Sequence, residues 1–207
     1  NSFQNLILQV VTYFDSDNVT GSIIFGEGCF SNAVSINSLL RNSHIAGDVV
    51  FGAGFAKNTP DYSYIFLNTK IQGDIKFNEE FGSAARYTSS MFSEAQFSKE
   101  IVLPDNFGAN IEMANYMFQN FIFKNTWKFP SKFGEKINDF NRMFARSILN
   151  ANLDWSSVDF TGRTGADTRG MFENVTWNNH FILVANVGSQ AFFTANTGAT
   201  ANNIKVK

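Results

Sequence analysis

A chain of 207 residues is long enough for one large domain or two small ones and for a core that covers most of its apolar surface. With 44% hydrophobic residues, 16% charged residues and a formal net charge of -2, it is neither a disordered tail nor a polycation, so nucleic acid is not an expected partner. Its single cysteine, Cys29, excludes an internal disulfide and a cysteine-based metal cluster, and no apolar run reaches the length of a membrane helix.

Residues 1–12 have no counterpart later in the chain and are expected to form a partial N-terminal coil or cap. They lack the basic start and small-residue cleavage site of a signal peptide, so an export signal is expected to lie outside this sequence. From Phe14 onward the chain repeats itself. Steps of 26 give Leu40, Phe66, Phe92, Phe118 and Phe144, then Phe172 after 28. Three further columns keep the same phase. One runs Val19, Ile45, Ile71, Phe97, Phe123, Leu149, Trp177; another Ile23, Val49, Ile75, Ile101, Trp127, Leu153, Phe181; the last Phe25, Phe51, Phe77, Leu103, Phe129, Trp155, Leu183. All slip by two residues between 155 and 171, where "TGRTGADTRG" reads as a lengthened loop. A period of 26 lies within the range of leucine-rich repeats, roughly 20 to 29 residues, and below that of helix-pair repeats.

Within each coil, "GDVVF", "GDIKF", "EIVLP", "TWKFP" and "NLDWS" alternate apolar and other residues, the period of a strand with one buried face. Pro104 and Pro130 close two of these strands. Around the recurrent "MF" pairs the spacing changes to three and four, as in Tyr87, Met91, Ala95 and in Ile137, Phe140, Phe144, Ile148, which predicts a helix of about three turns behind the sheet. "VGSQAFF" and "NNIKVK" near the end predict a shorter coil over 184–207, reached by steps of 23 from Phe181 to Ile204 and from Leu183 to Val206. The expected architecture is an α/β solenoid, leucine-rich-repeat-like, of about seven coils of 26 residues in one repeat domain over 1–207. It would carry a parallel sheet on one face and short helices on the other.

Two stretches, "IVLPDNFGANIEMANYMFQNFIF" and "WKFPSKFGEKINDFNRMFARSIL", show the repeat most fully: a short apolar strand, a Pro, an aromatic followed by Gly (Phe81-Gly82, Phe107-Gly108, Phe133-Gly134), then "MF", or "AF" at Ala191-Phe192. This grammar resembles that of the BspA-like leucine-rich repeat proteins of bacterial surfaces, over nearly the whole chain. The resemblance implies a secreted or wall-anchored protein at the cell surface that adheres to a host extracellular protein, mucin, or a cell-surface protein or glycan.

Convergent titratable groups of the kind an enzyme needs are scarce. His44 and His180 lie in opposite terminal thirds of the repeat, too far apart to share a metal or a proton. Asp48 and Asp74 occupy equivalent places on neighbouring coils with Glu100 next; at about 5 Å they could form a retaining glycosidase pair, but a solvated strand edge explains them as well. "NVT" at 18 and at 174 matches a glycosylation acceptor that carries little meaning in a bacterial chain. The outward column of the strands, Ile24, Val50, Lys76, Val102, Lys128, Asp154 and Ile182, offers an extended binding face instead, with Asp74 and Glu100 on its rim. The expected ligand-binding residues are Val50, Asp74, Lys76, Glu100, Val102, Lys128 and Asp154, on a non-catalytic monomer that holds no cofactor or metal and inserts no segment into a membrane. A structural spacer and, third, a polysaccharide-active β-helix enzyme are the competing readings; three strands per coil would mark the last.

Overall fold

The computed structural model describes Phe14 and residues 17–207, which form a parallel-strand β-solenoid of about seven coils. The expected N-terminal coil or cap, 1–12, lies outside the described residues. Strands are two or three residues long because only that much of each coil is straight. They are β1 (Asn18–Val19) and β2 (Ile23–Phe25) in the first coil, β3 (His44–Ile45) and β4 (Val49–Phe51) in the second, and β5 (Lys70–Ile71) and β6 (Ile75–Lys76) in the third. The fourth coil has only β7 (Gln96–Phe97). The fifth has β8 (Ile122–Phe123) and β9 (Trp127–Lys128), the sixth β10 (Ile148–Leu149) and β11 (Leu153–Trp155), and the seventh β12 (Ile182–Val184). A helix, α1 (Val187–Thr194), and β13 (Ile204–Val206) end the described chain.

Stacking the coils aligns these strands into walls. The first wall is β1-β3-β5-β7 followed by β8-β10, and the second is β2-β4-β6 followed by β9-β11-β12-β13. A third wall consists of single parallel bridges running Ser35, Asp61, Tyr87, Met113, Asp139, Asp167. Partners such as Ile23 with Val49 and Val49 with Ile75 share one register, so the inward residues of the strands superimpose from coil to coil.

The third wall departs from the expected short helices. Two residues four apart in each coil take left-handed backbone angles, for example Ser90 and Glu94 (φ 53° and 59°) or Tyr116 and Asn120 (φ 58° and 54°), and a right-handed helix cannot run through them. The amides divide their work. Ser90 and Phe92 donate to Asn115 and Met117 of the next coil at 3.0 and 2.8 Å, while Met91 and Ser93 close local turns onto Thr88 and Ser90 at 3.1 and 3.2 Å. Consecutive three-residue turns return a side chain to the core at the same three-to-four step as a helix, which is why the spacing alone misleads. The separation from three-walled β-helix enzymes by helical spacing therefore does not hold.

The "MF" phenylalanines form a stack through the middle of the solenoid. Phe66, Phe92, Phe118, Phe144 and Phe172 lie nearly parallel, with successive centroids 5.4, 5.3, 5.4 and 5.1 Å apart and interplanar angles of 10° or less. A second stack, Phe55, Phe81, Phe107 and Phe133, follows at 6.1, 6.3 and 5.9 Å. Gly82 and Gly108 belong to this second stack: their φ values of 67° and 83° are left-handed, and only glycine fits because a Cβ there would meet the ring of the next phenylalanine at 2.5 and 2.3 Å.

Past the lengthened loop the strand register differs from the one expected. Leu153 and Trp155 pair with Ile182 and Val184, not with Phe181 and Leu183. Asn178 and Asn179 are consecutive left-handed residues (φ 42° and 63°), and they absorb one extra residue before the strand. A shift by one exchanges the two faces, so Ile182 is fully buried and Leu183 takes its place in the outward column. Ile204 and Val206 accordingly pair with Ile182 and Val184.

Truncating a middle rung of the central stack removes a ring that packs on two neighbours. Phe92→Ala is expected to cost about 3 to 5 kcal/mol and to broaden the unfolding transition, followed by far-UV dichroism in urea. An unchanged midpoint would show that the stack does not hold the coils together.

Candidate functional site

Three substitutions in the repeat act on the fourth and fifth coils. The corner before the second wall is Gly21, Gly47 and Gly73 in the first three coils, and these stack so closely that a Cβ on Gly73 would sit 2.4 Å from the carbonyl carbon and oxygen of Gly47. In the fourth coil that place is Lys99, whose side chain forbids the same approach. The position before the first wall is Ser43, Thr69, Ala95 and Ser147, where Thr69 Oγ1 donates to Leu40 O at 2.5 Å and Ser147 Oγ to Phe144 O at 2.7 Å; in the fifth coil it is Phe121. The first inward position of the second wall is Ile23, Val49, Ile75, Ile101 and Leu153, but Trp127 in the fifth coil.

Both large rings are buried where smaller groups would sit. Phe121 lies 5.9 Å from Phe97, 4.8 Å from Phe123 and 5.7 Å from Trp127. Trp127 reaches back to Phe118 at 5.1 Å and Phe92 at 6.0 Å, so one indole spans two coils. Its Nε1 is buried with no hydrogen-bond partner among the described residues, a loss of about 1 to 3 kcal/mol for an unsatisfied donor.

The front of the solenoid parts at this place. Among the described residues no pairing joins β7 to β8, and residues 101–103 pair with neither β6 nor β9. The third wall continues unbroken beside the gap, since Phe92 still donates to Met117 O and Glu94 to Gln119 O at 2.8 and 2.9 Å. The coils therefore stay stacked at the back and open at the front, leaving a cleft of about 520 Å³ between residues 94–101 and 120–127. A recess of about 390 Å³ adjoins it along the second wall. Volumes of this order are those of small-ligand sites. Phe97, Phe121 and Trp127 supply apolar surface, Ile122 is exposed at the lip, and Glu94, Lys99, Glu100 and Lys124 give the rim charges of both signs.

Of the residues expected to bind ligand, Glu100, Val102 and Lys128 line the recess, with Glu100 shared by the cleft and Val102 75% exposed. Val50, Asp74 and Lys76 face outward from the sheet of β4 and β6, on the far side of the fourth coil. Asp154 does not join them. It is only 4% exposed, with Oδ2 accepting from Lys207 Nζ at 2.8 Å and Oδ1 from Ser156 N–H at 2.9 Å. The Asp48 carboxylate is engaged as well: its Oδ1 accepts Asp74 N–H at 2.9 Å, as Ser22 Oγ accepts Asp48 N–H, a seam along the corner that ends at Asp74. Phe121 and Trp127 are missed by a reading that seeks apolar residues at apolar places. Their signal is size, one large ring among Ser, Thr and Ala and one among aliphatic residues.

On the third wall Asp139 and Asp167 are bridge partners in neighbouring coils. Burial, with the charge of Asp167, pushes the Asp139 carboxyl up, while Arg169 at 2.7 Å holds Asp167 below the usual range. Both carboxylates also accept amides two residues on, Asn141 and Arg169, at 2.9 and 3.0 Å. Among the described residues no group of three or more His, Cys, Asp or Glu could hold a metal ion, and no helix is long and apolar enough to cross a membrane. Comparison of the chain with protein-family models, with curated proteins and with solved structures finds no match.

Two measurements test this site and its surroundings. Hydrogen exchange is expected to be at least about tenfold faster at the amides of Ile122, Lys124 and Ile101 than at Gln96, Ser98 and Ile148, which make bonds to neighbouring coils. Equal protection would close the cleft. The second concerns Asp154, whose carboxyl burial pushes up but whose hydrogen bonds from Lys207 and Ser156 outweigh that and hold it below the ordinary 3.8. A depressed folded-state pKa stabilises above the unfolded value and is lost as pH falls through the folded one. Unfolding should therefore show Lys207→Met less stable than the parent at neutral pH, with the difference starting to shrink as the pH falls below about 4 and gone only once it lies below the depressed folded-state value.

Proposed function

We propose that this chain is a non-catalytic binding module of a bacterial cell-surface protein, secreted or wall-anchored, that adheres to a host extracellular protein, mucin or a glycan. The observation that carries the reading is the parted front at the fourth coil. A solenoid that served only to stack would continue its first and second walls as it continues its third. Here two large rings, one at a place of Ser, Thr and Ala and one at a place of aliphatic residues, leave apolar and main-chain surface open beside charges of both signs, a composition suited to recognition with a polar rim. The outward faces on either side extend this surface. Ile24 is 72% exposed at one end and Val102 75% in the recess beside the cleft, where Lys128 also lies, with Lys76 one coil before.

Kinship with the BspA-like leucine-rich repeat proteins rests on the grammar of the repeat, and the extracellular location follows from that kinship. The aromatic-Gly pairs support it physically, because Gly82, Gly108 and Gly134 all hold left-handed angles that the shared pattern would preserve. The α/β character that the resemblance implies is not found at the back of the described coils, which is built from turns, so the likeness is carried by the parallel strands.

A screen of the chain against matrix proteins, mucin and glycans tests the reading. For any ligand found, Lys76→Glu combined with Lys128→Glu is expected to lower attachment by about tenfold or more while far-UV dichroism stays the same, since rim charges act on encounter and not on the stacked core. Undiminished attachment would remove this face, and no attachment to any surface would favour a spacer that holds another domain at a distance.

A further inference from the structure

The cleft presents main-chain groups as well as side chains, and their pattern narrows what can bind. In the first wall each coil donates amides to the one before: Gln96 N–H to Thr69 O at 2.9 Å, Ser98 N–H to Ile71 O at 3.0 Å, and, beyond the cleft, Ile148 N–H to Phe121 O and Asn150 N–H to Phe123 O, both at 2.9 Å. The two bonds that would continue the series, Ile122 N–H to Ala95 O and Lys124 N–H to Phe97 O, are not made. In the second wall Trp127 N–H donates to Asn152 O at 3.1 Å, but the corresponding bond from Ile101 N–H to Thr126 O is missing too. One side of the cleft thus offers Ala95 O, Phe97 O and Ile101 N–H. The other offers Ile122 N–H, Lys124 N–H and Thr126 O.

Lys124 shows that this pattern has a complement. Its Nζ crosses the gap to Phe97 O at 3.1 Å, so a side-chain donor stands on the acceptor that a strand amide holds in the coils on either side. A row of amide donors and acceptors at strand spacing is matched by another main chain, which supplies both in alternation every 3.3 to 3.4 Å. A sugar chain supplies hydroxyls without that alternation. The floor supplies the rest of the site: Phe121 and Trp127, 5% and 8% exposed, are its apolar lining.

We infer that the cleft between the fourth and fifth coils captures a short extended polypeptide segment as an added strand. The segment bonds through its main chain to Ile122, Lys124 and Ile101 and seats one apolar side chain over Phe121 and Trp127. Lys124 Nζ yields Phe97 O to the incoming amide and moves to the rim. Affinity then comes from the main chain and selectivity from the single seated side chain. The inference rests on the binding-module reading and names its partner as a peptide strand.

Phage-displayed random heptapeptides selected on the full chain test it. The selected sequences are expected to share an apolar residue at one position, and N-methylating their main chain with side chains unchanged is expected to weaken binding by at least about tenfold, the equivalent of one or two lost hydrogen bonds. Phe121→Ser with Trp127→Ile, residues that other coils carry at these places, is expected to abolish capture with far-UV dichroism unchanged. Lys124→Met, which leaves both walls intact, is expected to bind as well as the parent or more tightly, and decides the matter together with the methylated peptides should the double variant fail to fold. Peptides that bind equally when methylated, full capture by a folded double variant, or loss of capture in Lys124→Met would each overturn the inference. The same chain is passed over the glycan, mucin and matrix-protein panel. Binding there without peptide selection would overturn strand capture and leave the module reading, whereas no binding on either would overturn both.

Discussion

Everything in this molecule depends on coils lying one on another in register. A strand of two or three residues has too little surface to be stable alone, and a single coil buries almost nothing. Once the coils superimpose, each inner phenylalanine of the central stack is covered on both faces by its own equivalents, and the alternate amides of the third wall find carbonyls in the next coil. Burial and hydrogen bonding then favour the same geometry, which is the condition for a single well-defined fold.

Because like residues stack on like, a change of size at one position is felt as a change of spacing. The corner glycines of the first three coils allow carbonyl and Cα to approach within a distance no side chain tolerates, and Lys99 ends that approach. Phe121 and Trp127 then hold the fourth and fifth coils apart at the front, while the unbroken third wall holds them together at the back. The cleft is thus a local failure of repetition confined to two of three walls. Its cost is visible in the strand bonds not made, a pattern expected where a site departs from the rules the rest of a fold obeys.

That departure also concerns the edges of sheets. An interrupted ladder exposes the same groups as an outer strand, and proteins usually cover or charge such edges to keep other chains away. Here Lys124 covers one acceptor across the gap, and Lys99, Glu94 and Glu100 charge the rim. A charged rim disfavours another sheet's edge, which would bring its own side chains against these charges.

The sequence by itself determined the repeat, its phase, the two strand rows, the stacked phenylalanines and the loop at 155–171. These follow from side-chain size and polarity, which recur at fixed intervals whatever the backbone does between them. It did not determine the third wall, because a series of tight turns and a helix return to the core at the same step; only the left-handed residues at places such as Ser90 and Glu94 tell them apart, and neither residue type announces that angle. Nor did it determine the face of Ile182, since an extra residue at Asn178-Asn179 reverses the faces without altering composition. Of the candidate site, Glu100, Val102 and Lys128 were legible as outward residues and Asp154 was misplaced, its carboxylate being covered by Lys207 from far along the chain. That the fourth coil opens was decided by tertiary structure alone: Lys99, Phe121 and Trp127 are ordinary residues until neighbouring coils must close over them, and closure is a property of the stack.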